Sequence, residues 1–279
     1  MGAVAAFCLM SSAIYLINDV VDCEADRAHP AKSRRPVASG RLSPLAAVLG
    51  AIALAALAAL FVWRVEASEN APDQPFGGMG LAVWAAAFFA LSLLYCFWLK
   101  NHVIIDVIVL SMGFVLRAMA GAAAIAVPIS PWLVVCTFTL CLFIALAKRR
   151  SEVVELAPDQ AAATRKVNRG YDGAILEHML TVSTAMAILT YCLYCLAGRT
   201  VRSIGSAHMV WTIPLVVYGL FRYNMVTRQC GRNDPVTVVL HDKVLWLVLV
   251  IYVVMSGLII KFGATSWMVN VLDVEWLSK

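Results

Sequence analysis

Between Tyr15 and Arg35 the chain gathers side chains that bind cations and anions: Tyr15, Asn18, Asp19, Asp22, Asp26, Lys32 and Arg35. Tyr15, Asp19, Asp22 and Asp26 recur at intervals of four, three and four residues, which predicts one face of a helix. Asn18 and Asp22 are likewise one turn apart. Three carboxylates on one stripe repel each other, and apolar surroundings add a desolvation penalty to each. On that logic, loss of one carboxylate is expected to relieve repulsion. A divalent cation removes both penalties. Mg²⁺ takes one or two protein carboxylates and completes its shell with phosphate oxygens and water. The stripe also ends its helix, where exposed carbonyls favour a cation. The plainer reading is a solvated acidic helix end paired with the basic loop behind it.

A second charged cluster, Lys148-Arg149-Arg150-Ser151-Glu152 followed by Glu155, places Lys148, Glu152 and Glu155 on one helical face. Lys and Arg bind phosphate directly, Arg through a planar fork. The same triplet also reads as a membrane-orientation signal, and charge alone leaves the two readings open. Arg117 and Asp106 stand close to three turns apart inside one apolar run. A charged side chain in a span needs a partner or a cavity, and cavity lining is the expectation for Arg117. Tyr95, Lys100 and His102 mark another helix end, with Tyr95 lining the site and His102 at the interface. Tyr171 and Glu177 bracket the start of a later span, and Arg222, Tyr223 and Asp242 close the last basic loop. Glu66, Glu69 and Asp73 read as a solvated outer loop. The small residues from Ala118 to Ala126 suit close helix packing.

The elements that must position these groups are membrane helices. Of 279 residues, 62% are hydrophobic and only 14% charged, against roughly a quarter charged in soluble domains. Several apolar runs approach 20 residues, the length of one bilayer crossing. That excludes a soluble globule and a disordered chain. It also excludes an outer-membrane barrel, whose strands alternate. The runs predict an all-α polytopic bundle with eight spans near 2–19, 44–64, 79–99, 103–126, 130–149, 174–197, 207–225 and 243–262, forming a single domain over 1–279. Sixteen of the 22 Lys and Arg residues fall in alternate loops, at 20–43, 100–102, 148–173 and 222–243. The positive-inside rule puts those loops in the cytoplasm, and the net charge of +5 therefore reflects orientation and not nucleic-acid binding. Six of the eight cysteines lie in apolar runs, where they pack as small hydrophobes. Cys192 and Cys195 form a CxxC without a second pair, a weak metal signal. The first span enters from the outer side by this count, which leads us to expect a preceding helix.

Asn18-Asp19-Val-Val-Asp22-Cys-Glu-Ala-Asp26 resembles the NDxxDxxxD signature of the UbiA-type intramembrane prenyltransferases. The resemblance implies a bundle of nine helices, the first of them missing here, with a cavity opening to the cytoplasm. It also implies that Asn18, Asp19, Asp22 and Asp26 bind Mg²⁺ and a diphosphate. Many relatives carry a second aspartate motif where this chain has Lys148-Arg149-Arg150. Further blocks, HPAKSRRP, YCFWLKNHVIIDV, GFVLRAMAGAAA, AKRRSE, YGLFRY and LHD, are similar to the polyprenyl-phosphate phosphoribosyltransferase branch of that superfamily. That branch moves 5-phosphoribose from phosphoribosyl diphosphate to a polyprenyl phosphate and releases diphosphate. The resemblance then implies Asp19 and Asp22 at the metal, and Lys32, Arg35, Lys148 and Arg149 bringing two anions together. Glu152 would orient a cation or a ribose hydroxyl, and Tyr15, Tyr95, Lys100, Arg117 and Arg222 would line the substrates. A multi-pass inner-membrane location, a cytoplasm-facing site and, as in some relatives, a homotrimer are implied as well.

Two other functions compete. A UbiA-type enzyme joining a polyprenyl diphosphate to an aromatic acceptor shares the first stripe but predicts a second aspartate pair, absent here. A transporter of a phosphorylated solute calls for mid-membrane polar residues and an inverted repeat. No such repeat is present in the sequence.

Overall fold

The computed structural model describes residues 2–28, 32–67, 80–127, 130–155, 171–230 and 235–262. Among the described residues every regular element is helical. The chain divides into two compact units, one of Met1–Ile129 with Leu156–Asp172, the other of Ser130–Glu155 with Gly173–Lys279.

The first unit holds α1 (Gly2–Val21), α2 (Cys23–Ala28), α3 (Pro44–Glu66), α4 (Leu81–Phe97) and α5 (Ile105–Ala124). α1 packs against α3 and α4, and α4 against α5. Its buried cluster is Ala6, Met10, Ala58, Val62, Leu81, Ala85, Phe88 and Ala120. Half of these are alanines. Small side chains let helix backbones approach closely, the main source of association where lipid is as apolar as the helices. At Gly2 a Cβ would come within 2.7 Å of the Val65 side chain. Ser43 starts α3 by accepting a hydrogen bond from the Ala46 amide at 3.2 Å, with Pro44 in the first helical turn, where its missing N–H is no loss.

Glu66 is not merely part of a solvated outer loop. Its carboxylate accepts the Ala82 amide at 2.8 Å and so closes the start of α4. Glu69 and Asp73, expected in the same loop, lie outside the described residues. A turn at Asp22 separates α1 from α2, but the helical register survives it. The Asp22 amide donates to the Asn18 carbonyl at 2.9 Å, and Asp26 to Asp22 at 2.8 Å. That continuity keeps the aspartates in line.

The second unit holds α6 (Pro131–Glu155), α7 (Gly173–Leu196), α8 (Gly198–Ile204), α9 (Ile213–Cys230), α10 (Pro235–His241) and α11 (Lys243–Phe262). α6 pairs with α7, and α9 with α11. An apolar cavity of about 600 Å³ lies in this unit, with Phe143, Tyr191, Tyr223 and Tyr252 among its walls. α6 runs past the expected boundary near 149 because its polar end is helical in its own right. An Arg149–Glu152 pair at i,i+3 supports the extra turn. The run expected at 207–225 is preceded by a short helix not expected from hydropathy: Gly205 adopts φ 78° at the end of α8, and the chain bends by 100° between Gly198–Ile204 and His208–Arg228.

Each of the eight expected runs contains one long helix. By length and composition six helices are able to cross a membrane, seven if the bent pair is one span, while the apolar α4 has 17 residues.

Candidate functional site

In the first unit the aspartates end α1 and enter α2, and two cations clasp them. Lys100, in a 3₁₀ turn at Leu99–Asn101, places its Nζ 2.5 Å from Asp22 Oδ1 and 3.2 Å from Asn18 Oδ1. Arg35 Nη1 donates to Asp19 Oδ1 and to Asp26 Oδ2, each at 2.9 Å. Lys100 and Asp26 are buried, and only 7% of Lys100 is exposed. A buried ammonium is tolerable because it is paired and hydrogen-bonded. Lys32 is half-buried in the preceding 3₁₀ turn, Lys32–Arg34. Arg27 Nε ties α2 to the Ala38 carbonyl at 3.1 Å.

Among the described residues no group of three or more His, Cys, Asp or Glu side chains converges as a metal set. Mg²⁺ needs fewer, since one or two carboxylates suffice when phosphate supplies the other oxygens. The donor chemistry fits. Asn18 and Asp22 oxygens converge on one positive atom, Asp19 and Asp26 oxygens on another, and all four are hard oxygen donors.

The Lys100 turn is held from behind. Tyr171 donates from its hydroxyl to the fully buried Asp106 Oδ1 at 2.7 Å and accepts the Ile104 amide at 2.8 Å. Ile104 has φ 71°, a positive value rare for a β-branched residue. Asp106 thus faces Tyr171. Arg117, on the same helix, donates to Ser11 Oγ at 3.3 Å and lies 4.7 Å from the centroid of Phe88. Tyr15 is 70% exposed, Tyr95 is half-buried, and His102 is exposed.

In the second unit Lys148 is exposed at the end of α6, whereas Arg149 and Arg150 are buried. Arg149 Nη1 reaches Glu152 Oε2 at 2.5 Å. Lys148 and Glu152 therefore share a face, but the cation that Glu152 holds in this way is Arg149. Arg150, not singled out by the sequence reading, is the best anchored of the triplet. It donates to Asn224 at 2.8 Å and to Thr227 at 3.1 Å, and lies 3.5 Å from Glu177. Glu177 is also bound by Arg228. The available signal was the unbroken Lys-Arg-Arg run, but no local spacing distinguishes its buried member.

Arg222 pairs with Asp242 at 2.8 Å, and Asp242 accepts the Leu245 amide at 2.8 Å at the start of α11. The Arg222 hydrogen bond, with help from that amide, holds the Asp242 carboxyl below its usual range against a smaller opposing effect of burial. Residues 156–170 of the expected basic loop lie outside the described residues.

Residues 1–241 match the UbiA prenyltransferase family. The chain belongs to that family. It is a membrane protein built on this family's transferase fold. It is 31% identical over 268 residues to decaprenyl-phosphate phosphoribosyltransferase of Mycolicibacterium smegmatis, covering 94% of this chain and 80% of the relative. The enzyme of the same name from Corynebacterium glutamicum is 34% identical over 245 residues, covering 87% and 70%. Among solved structures, a UbiA homologue from Archaeoglobus fulgidus bound to GPP and Mg²⁺ superposes with a TM-score of 0.65 at 17% identity, covering 97% of this chain and 87% of the other. That likeness carries the fold.

Proposed function

We propose that the protein transfers 5-phosphoribose from phosphoribosyl diphosphate to a polyprenyl phosphate, in the plasma membrane with its site facing the cytoplasm. The observation that carries this reading is the cationic end of α6, where Lys148 to Arg150 stand without an aspartate pair. Similarity to two enzymes named decaprenyl-phosphate phosphoribosyltransferase over most of the chain supports it.

In this reading Asn18, Asp19, Asp22 and Asp26 hold Mg²⁺, which when bound neutralises charge developing on the leaving diphosphate. Lys100 and Arg35, already on those carboxylates, turn their remaining donors to the phosphate oxygens. As the bond from the anomeric carbon to the diphosphate breaks, positive charge grows on the sugar. An acceptor phosphate oxygen attacks that carbon. This nucleophile is anionic at neutral pH, so the protein's task is to bring two anions together. Lys32, Lys148, Arg149 and Arg222 serve it, with Glu152 orienting Arg149. Tyr15, Tyr95 and Arg117 line the substrates. Assembly as a homotrimer belongs to the same reading.

A second reading, transfer from a polyprenyl diphosphate to an aromatic acceptor, draws on the likeness to a homologue solved with GPP. The test is incubation of purified protein with labelled phosphoribosyl diphosphate, Mg²⁺ and polyprenyl phosphate, followed by lipid extraction. Label in the lipid phase supports the first reading. Product only from a prenyl diphosphate and an aromatic acid supports the second.

A further inference from the structure

Ser11, Tyr15, Asn18 and Asp22 follow one another at intervals of four, three and four residues, so they share a face of α1 and the turn that continues it. Two cations from other elements land on this face. Lys100 bonds its C-terminal members, Asn18 and Asp22, and Arg117 bonds its N-terminal member, Ser11. Ser11 and Asn18 are seven residues apart, about 10 Å along the helix. The face thus carries two positive charges, one per end, with a phenol between them.

Arg117 is an unusual cation. It sits near the middle of α5 and is exposed, in a position where lipid would solvate it poorly. Its guanidinium lies 4.7 Å from the Phe88 centroid and 5.4 Å from that of Phe114. Two aromatic rings favour the cation and restrain its position, and the hydrogen bond to Ser11 fixes one edge of the fork. Of its five N–H donors, the others have no bonded partner among the described residues. A restrained, exposed fork with donors to spare is built to take an anion of trigonal or tetrahedral geometry.

We infer that Arg117 binds the 5-phosphate of the ribosyl donor, while the Lys100 end of the same face takes the diphosphate. The inference rests on the proposed phosphoribosyl transfer and names the group that selects its donor. Their nearest contact points on α1, Ser11 and Asn18, about 10 Å apart along the helix, suit a ribose that bears phosphates on carbons 1 and 5. A prenyl diphosphate has no anion to offer at the inner position. Arg117 is therefore the residue by which the site distinguishes a ribosyl donor from an isoprenoid one. The same fork would suit the acceptor's phosphate or a lipid headgroup, so the experiment has an arm for each.

Binding of Mg²⁺–diphosphate, of phosphoribosyl diphosphate with Mg²⁺, and of polyprenyl phosphate is measured by calorimetry on the purified full chain, in detergent and in anionic-lipid nanodiscs. Arg117→Ala is expected to weaken phosphoribosyl diphosphate by about 10- to 150-fold, the loss of a hydrogen bond to a charged group. Diphosphate affinity stays unchanged, which also shows that the variant is folded. Arg117→Lys is expected to recover part of the loss, because an ammonium keeps the charge without the fork. Equal weakening of diphosphate and phosphoribosyl diphosphate, or none, overturns the inference. So does a loss confined to polyprenyl phosphate, which assigns the fork to the acceptor, or a loss seen only with anionic lipid. If the wild-type protein itself binds phosphoribosyl diphosphate no better than diphosphate, the proposed function fails, and the inference fails with it.

Discussion

At the scale of single residues, the contacts reverse an expectation drawn from charge repulsion. Asp22 is not only one of three mutually repelling carboxylates but also the principal partner of a buried ammonium. Removing one partner of such a pair strands the other charge. Asp22→Ala is therefore expected to lose activity and to destabilise the protein, by up to about 3 kcal/mol, instead of holding or gaining stability. Thermal melts in detergent without added Mg²⁺ measure this, and Asp22→Ala combined with Lys100→Met should recover much of the loss in a double-mutant cycle. An unchanged melt for Asp22→Ala alone contradicts the clasp. Lys148 stands in contrast, exposed where Arg149 is buried and paired with Glu152. Lys148→Ala should leave the melt unchanged and weaken donor or acceptor binding about 10- to 150-fold. Wild-type kinetics at low donor concentration would leave Lys148 as an orientation signal alone.

At the scale of elements, two helix starts carry consequences. Ile104 adopts φ 71° just before α5 and is exposed, so little packing depends on its side chain. Ile104→Gly removes strain of about 1 kcal/mol and keeps the amide that Tyr171 accepts. Chemical denaturation should show that variant as stable as the wild type or more so, while Tyr171→Phe leaves the buried Asp106 short of a donor and should destabilise. At α11, Asp242 combines an N-terminal cap with an ion pair. Its carboxyl is held below the usual value, so the stabilisation is fully present above the unfolded pKa of about 3.9 and is lost as pH falls through the lower folded value. Asp242→Asn, which keeps the capping oxygen but loses the charge, is expected to lie below wild type near neutral pH and to converge with it in strong acid. Asp242→Ala should cost about 1 kcal/mol from the cap alone. A constant gap between wild type and Asp242→Asn at every pH would contradict the charge assignment.

At the scale of the whole molecule, the proposed orientation rests on the distribution of Lys and Arg. Arg41 precedes α3 and Arg64 lies in its last turn, and the helix's 23 residues span about 35 Å, enough to cross the bilayer. In a background without native cysteines, Arg41→Cys should react with an impermeant thiol reagent only from the cytoplasmic side, and Arg64→Cys only from the opposite side. Lys243→Cys and Lys261→Cys, at the two ends of α11, should divide the same way. Reaction of either pair in the reverse sense overturns the cytoplasmic placement of the site.

What was legible in the linear chain is what depends on near neighbours. The apolar runs became helices because a backbone in hydrocarbon must satisfy its own hydrogen bonds, and the aspartate stripe stayed in line because helical periodicity is local. The start of α3 agrees with the apolar run expected from 44, and the Ser43 cap found there is an equally local contact. The partners of the charges were not local. Asp22 and Lys100 are 78 residues apart in sequence, Asp106 and Tyr171 65, Arg150 and Asn224 74, and no periodicity within one helix encodes such pairings. Hence the spacing of Arg117 and Asp106 on one helix did not show that Asp106 bonds Tyr171, or that Arg117 meets Ser11 and two aromatic rings. Hydropathy separated the runs ending at 197 and starting at 207 but did not show that a short helix, Gly198–Ile204, and a 100° bend lie between them, because hydropathy carries no information on the angle between two helices. The sequence by itself determined the family, the helices and the chemistry of the aspartate stripe. Tertiary packing decided which cation each carboxylate holds, because that choice depends on which helices are brought side by side.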